Sequence, residues 1–219
     1  MLMLGIQSFI FNPFEENTYV LFDESKKCII VDPGCYTENE KKELEAFVVS
    51  NGLIPEKILL THAHIDHILG NNFISGRFGI PIQMSYIEIP LLKGVSEYGR
   101  MWGIEAEPSP EPEISVSEND EIRFGNTILE SIFTPGHSPG SFSFYHRAGK
   151  ILISGDVLFM QSIGRTDLPG GDYETLLKSI QEKLMKLEDD VIIYPGHGPE
   201  TTIGRERVHN PFLQGSFLE

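Results

Sequence analysis

One heptapeptide, THAHIDH at residues 61–67, constrains this chain more than any other feature. It places four metal-competent side chains within six residues, namely His62, His64, Asp66 and His67. The apolar run directly before it, residues 57–60, predicts a buried strand, and the end of a strand is a rigid platform that can hold ligands at metal distances. Imidazole nitrogens and a carboxylate suit Zn²⁺ and also Fe or Mn. The segment therefore predicts a metal site at the end of a strand.

Three later segments share one pattern, in which an apolar strand ends in a glycine-containing turn with one metal-competent side chain. These side chains are His137 in TPGHSPG, Asp156 in SGD and His197 in YPGHG. Glycine permits a tight turn and a close approach of the backbone to a ligand. Five of the seven histidines thus lie at predicted strand ends, which favours a shared site over five unrelated loop histidines. His146 and His209 lack this context and are interpreted as surface or packing residues.

Hydrophobic periodicity predicts strands followed by helices, twice along the chain. The predicted strands are residues 4–11, 18–22, 28–31, 57–60, 80–82, 122–124, 127–133, 141–145, 150–154 and 191–194. The predicted helices are 38–51, capped by Thr37, then 66–78, 86–101 and 173–187, capped by Asp172. The acidic, proline-rich residues 105–113 are predicted to form a surface loop. We therefore expect one domain over residues 1–219, built from two similar halves of about 1–104 and 114–219.

Charge and cysteine content narrow the partners and the compartment. The 17 Lys and Arg residues against 32 Asp and Glu residues give a net charge of -15, which argues against a nucleic-acid partner. We expect neither a signal peptide nor a membrane span, because residues 1–7 lack a basic region and no apolar run approaches the length of a span. Cys28 and Cys35 are isolated and are expected to be unreactive thiols in a reducing compartment. We expect a cytoplasmic protein that acts on a small molecule and binds no membrane; its oligomeric state stays open.

The histidine cluster and the three later turns together resemble the metallo-β-lactamase-fold superfamily. The resemblance extends from the DPG turn at residues 32–34 to NPFL at residues 210–213. It implies an α+β fold, a four-layer αββα sandwich in which two mixed β-sheets are covered on their outer faces by helices. Two segments, GRTDLPGGD at residues 164–172 and GPET at residues 198–201, resemble the glyoxalase II-like hydrolases within that superfamily.

The resemblance also implies a centre of two divalent metal ions. Its ligands would be His62, His64 and His137 for one ion, Asp66, His67 and His197 for the second, and Asp156 as the bridge. Zn²⁺ is the expected metal, with Fe or Mn as alternatives, because three imidazoles leave an open tetrahedral position and the second site contains harder carboxylates. Asp66 and Asp156 are the predicted catalytic residues. Asp32 is either an acceptor that orients one of the histidines or a turn residue before Pro33.

The implied reaction is hydrolysis of a thioester, such as a hydroxyacylglutathione, by a metal-bridging hydroxide. Only 22 residues follow His197, so the helical C-terminal domain that helps glyoxalase II hold glutathione is expected to be missing. Arg165, Arg205 and Arg207 are the candidates for binding glutathione carboxylates. Arg165 is expected instead to pair with a nearby carboxylate.

Other functions of the same fold remain open at this point. A persulfide dioxygenase would hold one iron on His62, His137 and Asp156, which form a facial triad with open positions for O₂. A secreted β-lactamase is disfavoured because no secretion signal is visible, and a nuclease is disfavoured by the acidic charge. A binding protein with a decayed site is disfavoured because all seven ligand positions are filled by metal-competent residues.

Overall fold

The computed structural model describes residues 4–214, which divide into two compact units. The first unit runs as far as Val116 and also includes Arg123–Ile128. The second comprises Ser117–Ile122 and continues from Leu129. Residues 1–3 and 215–219, the ends of the predicted domain, lie outside the described residues. The prediction of a single domain with two similar halves stays a prediction.

The first unit contains a six-stranded mixed sheet. Its strands, adjacent in this order, are β1 (Gly5–Phe11), β2 (Glu16–Phe22), β3 (Lys27–Val31), β4 (Ile54–Leu59), β5 (Ile82–Met84) and β6 (Ile114–Ser115). The strands β1 to β3 pair antiparallel, and each pair from β3 to β6 is parallel. The strand predicted at residues 80–82 forms two residues later than expected. Because β3 and β4 are parallel neighbours, their carboxyl ends meet at one edge of the sheet.

The helices of the first unit confirm the strongest capping signal and correct one boundary. They are α1 (Glu38–Ser50), α2 (Ile65–Ile68), α3 (Asn71–Phe78) and α4 (Ile89–Met101), the last preceded by a 3₁₀ turn at Tyr86–Glu88. Thr37 and Glu40 form the predicted capping box at α1. The prediction of one continuous helix over residues 66–78 was wrong, because the helix is interrupted between α2 and α3. There the Gly70 N–H donates to Pro33 O at 2.7 Å, and a Cβ at Gly70 would lie 2.5 Å from Cys35 Sγ.

The second sheet is also six-stranded and mixed. Its strands in chain order are β7 (Glu121–Phe124), β8 (Thr127–Phe133), β9 (Phe142–His146), β10 (Ile151–Gly155), β13 (Ile192–Pro195) and β14 (Thr201–Thr202). Between β10 and β13 the chain forms a separate two-stranded sheet of β11 (Leu158–Phe159) and β12 (Ser162–Ile163). Their spatial order is β14-β13-β10-β9-β8-β7. β10 and β13 are parallel, whereas β8–β9, β9–β10 and β13–β14 are antiparallel. The sequence predicted five of these strands and missed β11, β12 and β14.

Two helices belong to the second unit, α5 (Tyr173–Glu182) and α6 (Ile203–His209). Asp172 caps α5 as predicted, since its side chain accepts from Thr175 N. The prediction that this helix continues to residue 187 was wrong, because a 3₁₀ turn at Leu184–Lys186 follows α5. The Arg207 side chain donates to Met185 O at 2.8 Å and Leu187 O at 3.0 Å, so these carbonyls are satisfied from α6 rather than by a helical ladder.

Each unit buries its own hydrophobic core. In the first unit the core includes Phe11, Ile30 and Leu60, and in the second it includes Tyr145 and Leu176. The predicted α+β class with two mixed sheets and flanking helices is therefore confirmed. Within residues 4–214, no helix has both the length and the apolar character needed to cross a bilayer.

Candidate metal centre

Two parallel strands of the first unit bring Asp32 and the THAHIDH segment to one sheet edge. Asp32 follows β3 directly, and the segment follows β4, whose backbone is paired with β3 in register from Ile29 to Val31. The backbone of His64, the N-cap of α2, is extended, and the helix then begins at Ile65. The direction of the chain thus changes between His64 and Asp66, as expected for residues that serve two ions.

Asp32 fixes the orientation of two of the predicted ligands. Its Oδ1 accepts from Thr61 N at 2.7 Å, and its Oδ2 accepts from Thr61 Oγ1 at 2.6 Å and from His67 Nδ1 at 3.0 Å. Because the single hydroxyl proton of Thr61 is donated to Asp32, the 2.9 Å contact between Thr61 Oγ1 and His62 Nδ1 assigns a proton to Nδ1 of His62. Both histidines therefore offer Nε2 as the ligand atom. The expectation that Asp32 orients a histidine is confirmed.

A second grouping of possible ligands in the first unit contains Asp32 itself. Ligand atoms of Asp32, His62 and His67 all lie within 4.8 Å of one another. The Asp32 carboxylate already accepts three hydrogen bonds, so we interpret it as the group that orients the imidazoles and not as a ligand. Asp66 Oδ2 lies 3.7 Å from His67 Nε2, a separation that fits two ligands of one ion.

Two fully buried carboxyl groups support the segment and were missed by sequence reasoning. Glu88 accepts from Ala63 N at 2.9 Å, between the first two histidines of the cluster. Glu16 accepts from Thr18 Oγ1 at 2.8 Å, and its Oε1 lies 4.0 Å from His67 Nδ1. Burial raises the pKa of Glu16 well above its usual range. Neither residue has a local sequence signal, because Glu16 is the last residue of the turn predicted at residues 12–16 and Glu88 occupies an ordinary position in the helix predicted at residues 86–101.

In the second unit, parallel β10 and β13 carry Asp156 and His197 just beyond neighbouring carboxyl ends. A backbone hydrogen bond joins the turn that follows β10 to the turn that follows β13, since Gly196 N donates to Gly155 O at 2.9 Å. Asp156 Oδ2 lies 3.5 Å from His137 Nε2 and 3.6 Å from His197 Nε2. A carboxylate between two imidazoles fits the predicted bridging role of Asp156. The unit thus brings together all three ligands predicted within it.

The GRTDLPGGD segment supports His137 through its backbone. His137 Nδ1 contacts Arg165 O at 2.8 Å, and because a carbonyl only accepts, the proton is assigned to Nδ1 and Nε2 is left as the ligand atom. A Cβ at Gly164 would overlap Asp156 O, so this position requires glycine. The Arg165 side chain forms a two-pronged pair with Asp167, at 2.7 and 2.8 Å, which confirms the expected ion pair.

The other residues that the sequence singled out differ in their burial and in their contacts. Arg207 holds the carbonyls that follow α5, as described above, and Arg205 is exposed on α6. His146 is buried in β9 and His209 is exposed on α6, which confirms their interpretation as packing and surface residues. Cys28 and Cys35 are fully buried, and burial raises the pKa of each thiol to about 12.

The donor chemistry of both sets fits divalent cations. The first unit offers His62, His64, Asp66 and His67, and the second offers His137, Asp156 and His197. Three of the imidazoles have Nδ1 held by a hydrogen bond, directly or through Thr61, to Asp32 or to Arg165 O. Such partners fix the tautomer and raise the basicity of a metal-binding imidazole.

Comparison with known proteins agrees with this chemistry. Residues 11–197 match the family model described as the metallo-beta-lactamase superfamily. The probable metallo-hydrolase YqgX of Bacillus subtilis is 42% identical over 208 residues, which cover 94% of this chain and 96% of that protein. The hydroxyacylglutathione hydrolase GloC of Haemophilus influenzae is 37% identical over 202 residues, covering 91% and 93%.

Solved structures show the same similarity. The BLEG-1 B3 metallo-beta-lactamase is 38% identical with a TM-score of 0.89, over 96% of this chain and 100% of that one. TTHA1623 in a di-iron-bound form is 36% identical with a TM-score of 0.86, over 94% and 100%. The residues matched by the family model, 11–197, include the positions of all seven predicted ligands.

Proposed function

The chain belongs to the metallo-beta-lactamase superfamily of metal-dependent hydrolases, and we propose that its substrate is a thioester of the hydroxyacylglutathione type. The observation that carries its metal-dependent part is the hydrogen bonding of His62, His67 and His137, which assigns the Nδ1–H tautomer to each ring and makes Nε2 the ligand atom. Similarity to GloC over almost the whole chain supports the thioester as the substrate class.

We further propose that the seven residues hold two ions. The grouping is His62, His64 and His137 for one ion, Asp66, His67 and His197 for the other, and Asp156 as the bridge. Its support within each unit is the position of Asp156 Oδ2 between His137 and His197, and of Asp66 Oδ2 beside His67 Nε2. Zn²⁺ is the proposed metal; Fe is the first alternative because a similar protein has a di-iron form.

The residues of the chain have distinct parts in the proposed reaction. When bound, the cations would lower the pKa of water and polarise the thioester carbonyl. Asp66 and Asp156 would be the carboxylates beside the reacting water and would accept its proton, which would then pass to the departing thiolate so that the products are an acid and a thiol. A cysteine nucleophile does not fit, because burial raises the pKa of Cys28 and of Cys35 to about 12.

Replacing proposed ligands tests both metal and substrate. We expect His64→Ala and Asp156→Ala to lower kcat/KM for S-lactoylglutathione by at least about 100-fold and to reduce the metal bound per chain. His209→Ala is the matched control, because it removes an exposed imidazole that is outside the proposed site. Elemental analysis and hydrolysis assays on the same preparations give the two readouts.

Three outcomes would overturn parts of the proposal. Near-normal hydrolysis and metal content in His64→Ala or Asp156→Ala would contradict the two-metal site. One Fe per chain with O₂ uptake that depends on glutathione persulfide would replace hydrolysis by dioxygenase chemistry. Turnover of nitrocefin without thioester hydrolysis would favour β-lactam substrates, the class named for one of the similar structures.

A further inference from the structure

An aromatic pair in the first unit combines a half-buried Phe14 with an exposed Trp102. Phe14, in the turn between β1 and β2, and Trp102, the C-cap of α4, have ring centroids 6.2 Å apart and ring planes at 84°. Trp102 is 55% exposed, and its neighbour Met101 is 76% exposed. Edge-to-face aromatic pairs provide a large apolar contact area at a small cost in side-chain entropy. An apolar surface of this kind often marks a binding site.

The turn that carries Phe14 is anchored to the backbone of a proposed metal ligand. The Asn12 side chain accepts from Phe14 N at 3.0 Å, and its Nδ2 donates to Asp66 O at 2.9 Å and to Gly34 O at 3.0 Å. Asn12 is 9% exposed, so this link is held within the protein and not by solvent-exposed groups. The position of Phe14 is therefore fixed relative to Asp66.

The segment that carries Trp102 is anchored to the same place independently. Three residues before Trp102, Gly99 packs so closely that a Cβ there would lie 3.2 Å from Ile65 Cδ1. After Trp102, Glu105 N donates to the Tyr36 hydroxyl at 3.3 Å, which ties the chain to the loop that follows Asp32. The two aromatic residues thus come from distant parts of the sequence, and the segment that carries each of them packs at residues 65–66, where α2 begins.

Charge near the pair disfavours an anionic occupant. The exposed Glu15 follows Phe14, and the exposed Glu105 lies three residues beyond Trp102. The nearby Arg100 is directed back along α4, since its Nε donates to Ser96 O at 3.0 Å. A glutathione carboxylate would be repelled here, whereas an apolar substituent would bury aromatic surface.

We infer that Phe14 and Trp102 bind the apolar substituent of the acyl group and thereby determine acyl specificity; this inference rests on the proposed thioesterase function. Neither ring touches the reacting atoms in this role, so truncation lowers the preference for bulky apolar acyl groups and leaves the reaction itself intact. The predicted effect is a change in the ratio of two substrates rather than a uniform loss of activity.

Two matched substrates test the inference. S-mandeloylglutathione and S-lactoylglutathione share the 2-hydroxyacyl thioester and differ by a phenyl group in place of a methyl group. We expect Phe14→Ala and Trp102→Ala to lower kcat/KM for the mandeloyl compound by about 10-fold and for the lactoyl compound by less than about 2-fold. Trp102→Phe should retain most of the preference. Val49→Ala, at a 56% exposed apolar residue of α1, is the control and should change neither value.

A binding measurement gives a readout independent of turnover. Trp102 is the single tryptophan of the chain, so its fluorescence reports directly on this surface. We expect the thioether S-benzylglutathione to change the emission saturably, and S-methylglutathione to do so at least about 10-fold more weakly.

The two proposals fail in different ways. Equal responses to the benzyl and methyl thioethers would overturn the inference whether or not thioesters are hydrolysed. Unchanged substrate ratios in both alanine variants, with thioester hydrolysis intact, would also overturn it and would leave the proposed function standing. An enzyme that hydrolyses no thioester would overturn the proposed function, and the fluorescence titration would then decide the apolar contact alone.

Discussion

Asp32 is the residue on which most of the first unit's proposed ligand geometry depends. Its carboxylate accepts from Thr61 twice and from His67 once, and through Thr61 it also determines the assigned tautomer of His62. Its backbone has a φ of 47°, in the left-handed region that few residues other than glycine adopt. Asparagine and aspartate both tolerate this conformation, which makes Asp32→Asn a clean probe of the charge and hydrogen bonding.

We expect Asp32→Asn to fold and to bind metal about 10- to 100-fold more weakly than the wild type. An amide offers one acceptor oxygen in place of two, so either Thr61 or His67 would face an NH₂ group that also donates. A chelator-competition titration with Zn²⁺ measures the affinity. A second buried aspartate provides the control. Asp23 accepts from Ser25, Asn126 and Thr127, so Asp23→Asn should lower the folding stability and leave the metal affinity unchanged. Equal affinities in Asp32→Asn and wild type would show that Asp32 is a turn residue without influence on the metal.

The residues of the site differ in how much the sequence reveals of them. The four residues of THAHIDH and the three turn residues could be predicted because each has its own local pattern. The partners of Asp32 could not, since Thr61 lies 29 residues away and His67 35 residues away. Glu88, fully buried against Ala63 N, is a charged residue whose burial depends on a partner 25 positions earlier. Long-range hydrogen bonds of this kind leave no signature in a single sequence.

At the scale of elements, helix α5 is fitted to the turn that carries His137. Asp172, the N-cap of α5, donates its N–H to Gly136 O at 2.7 Å, and Ser179 Oγ donates to Pro135 O at 2.7 Å. Gly136 has a φ of 131°, and a Cβ there would overlap the backbone of Leu176 in the first turns of α5. The helix therefore determines how the His137 turn can lie.

We expect Gly136→Ala to destabilise the protein strongly, because it combines backbone strain with a steric overlap that backbone atoms cannot easily relieve. A loss of about 3 kcal/mol or more in the free energy of unfolding is the expected scale. Gly79→Ala is the matched comparison, since Gly79 also has a positive φ, 65°, but open space around its Cβ position. It should cost only about 1 kcal/mol. Urea unfolding of the two variants measures the difference, and similar values would show that α5 shifts to accommodate the methyl group.

Element prediction succeeded where local chemistry decides and failed where packing decides. The capping box at Thr37 and the Asp172 cap are local and were read correctly. The break at Gly70 depends on Pro33 and Cys35, and the early end of α5 depends on Arg207. The short β11–β12 hairpin is held from elsewhere, since Gln161 N donates to Glu206 Oε2 at 2.7 Å. None of these partners is near in sequence.

At the scale of the whole molecule, charge is the property that the sequence predicts without structure. The chain has 32 acidic and 17 basic residues, an excess of 15 negative charges. Exposed ion pairs such as Arg147–Glu130 and Lys150–Asp190 use some of the basic residues. Each such pair contributes about 0–1 kcal/mol and is weakened by salt. The unmatched carboxylates repel one another, and salt relieves that repulsion within a screening length of about 10 Å at 0.1 M.

Repulsion and ion pairing therefore give opposite responses to salt, and the acidic excess favours repulsion. We expect the Tm of the metal-free protein to rise by a few degrees between 10 and 200 mM NaCl, since about 1 kcal/mol corresponds to about 2–4 °C in a protein of this size. Choline chloride should act like NaCl, which separates screening from specific Na⁺ binding. If two divalent cations bind as proposed, the charge changes from -15 to -15 + 4 = -11, and the rise should be smaller in the loaded protein. A Tm that falls with either salt would show that the surface ion pairs outweigh the net repulsion.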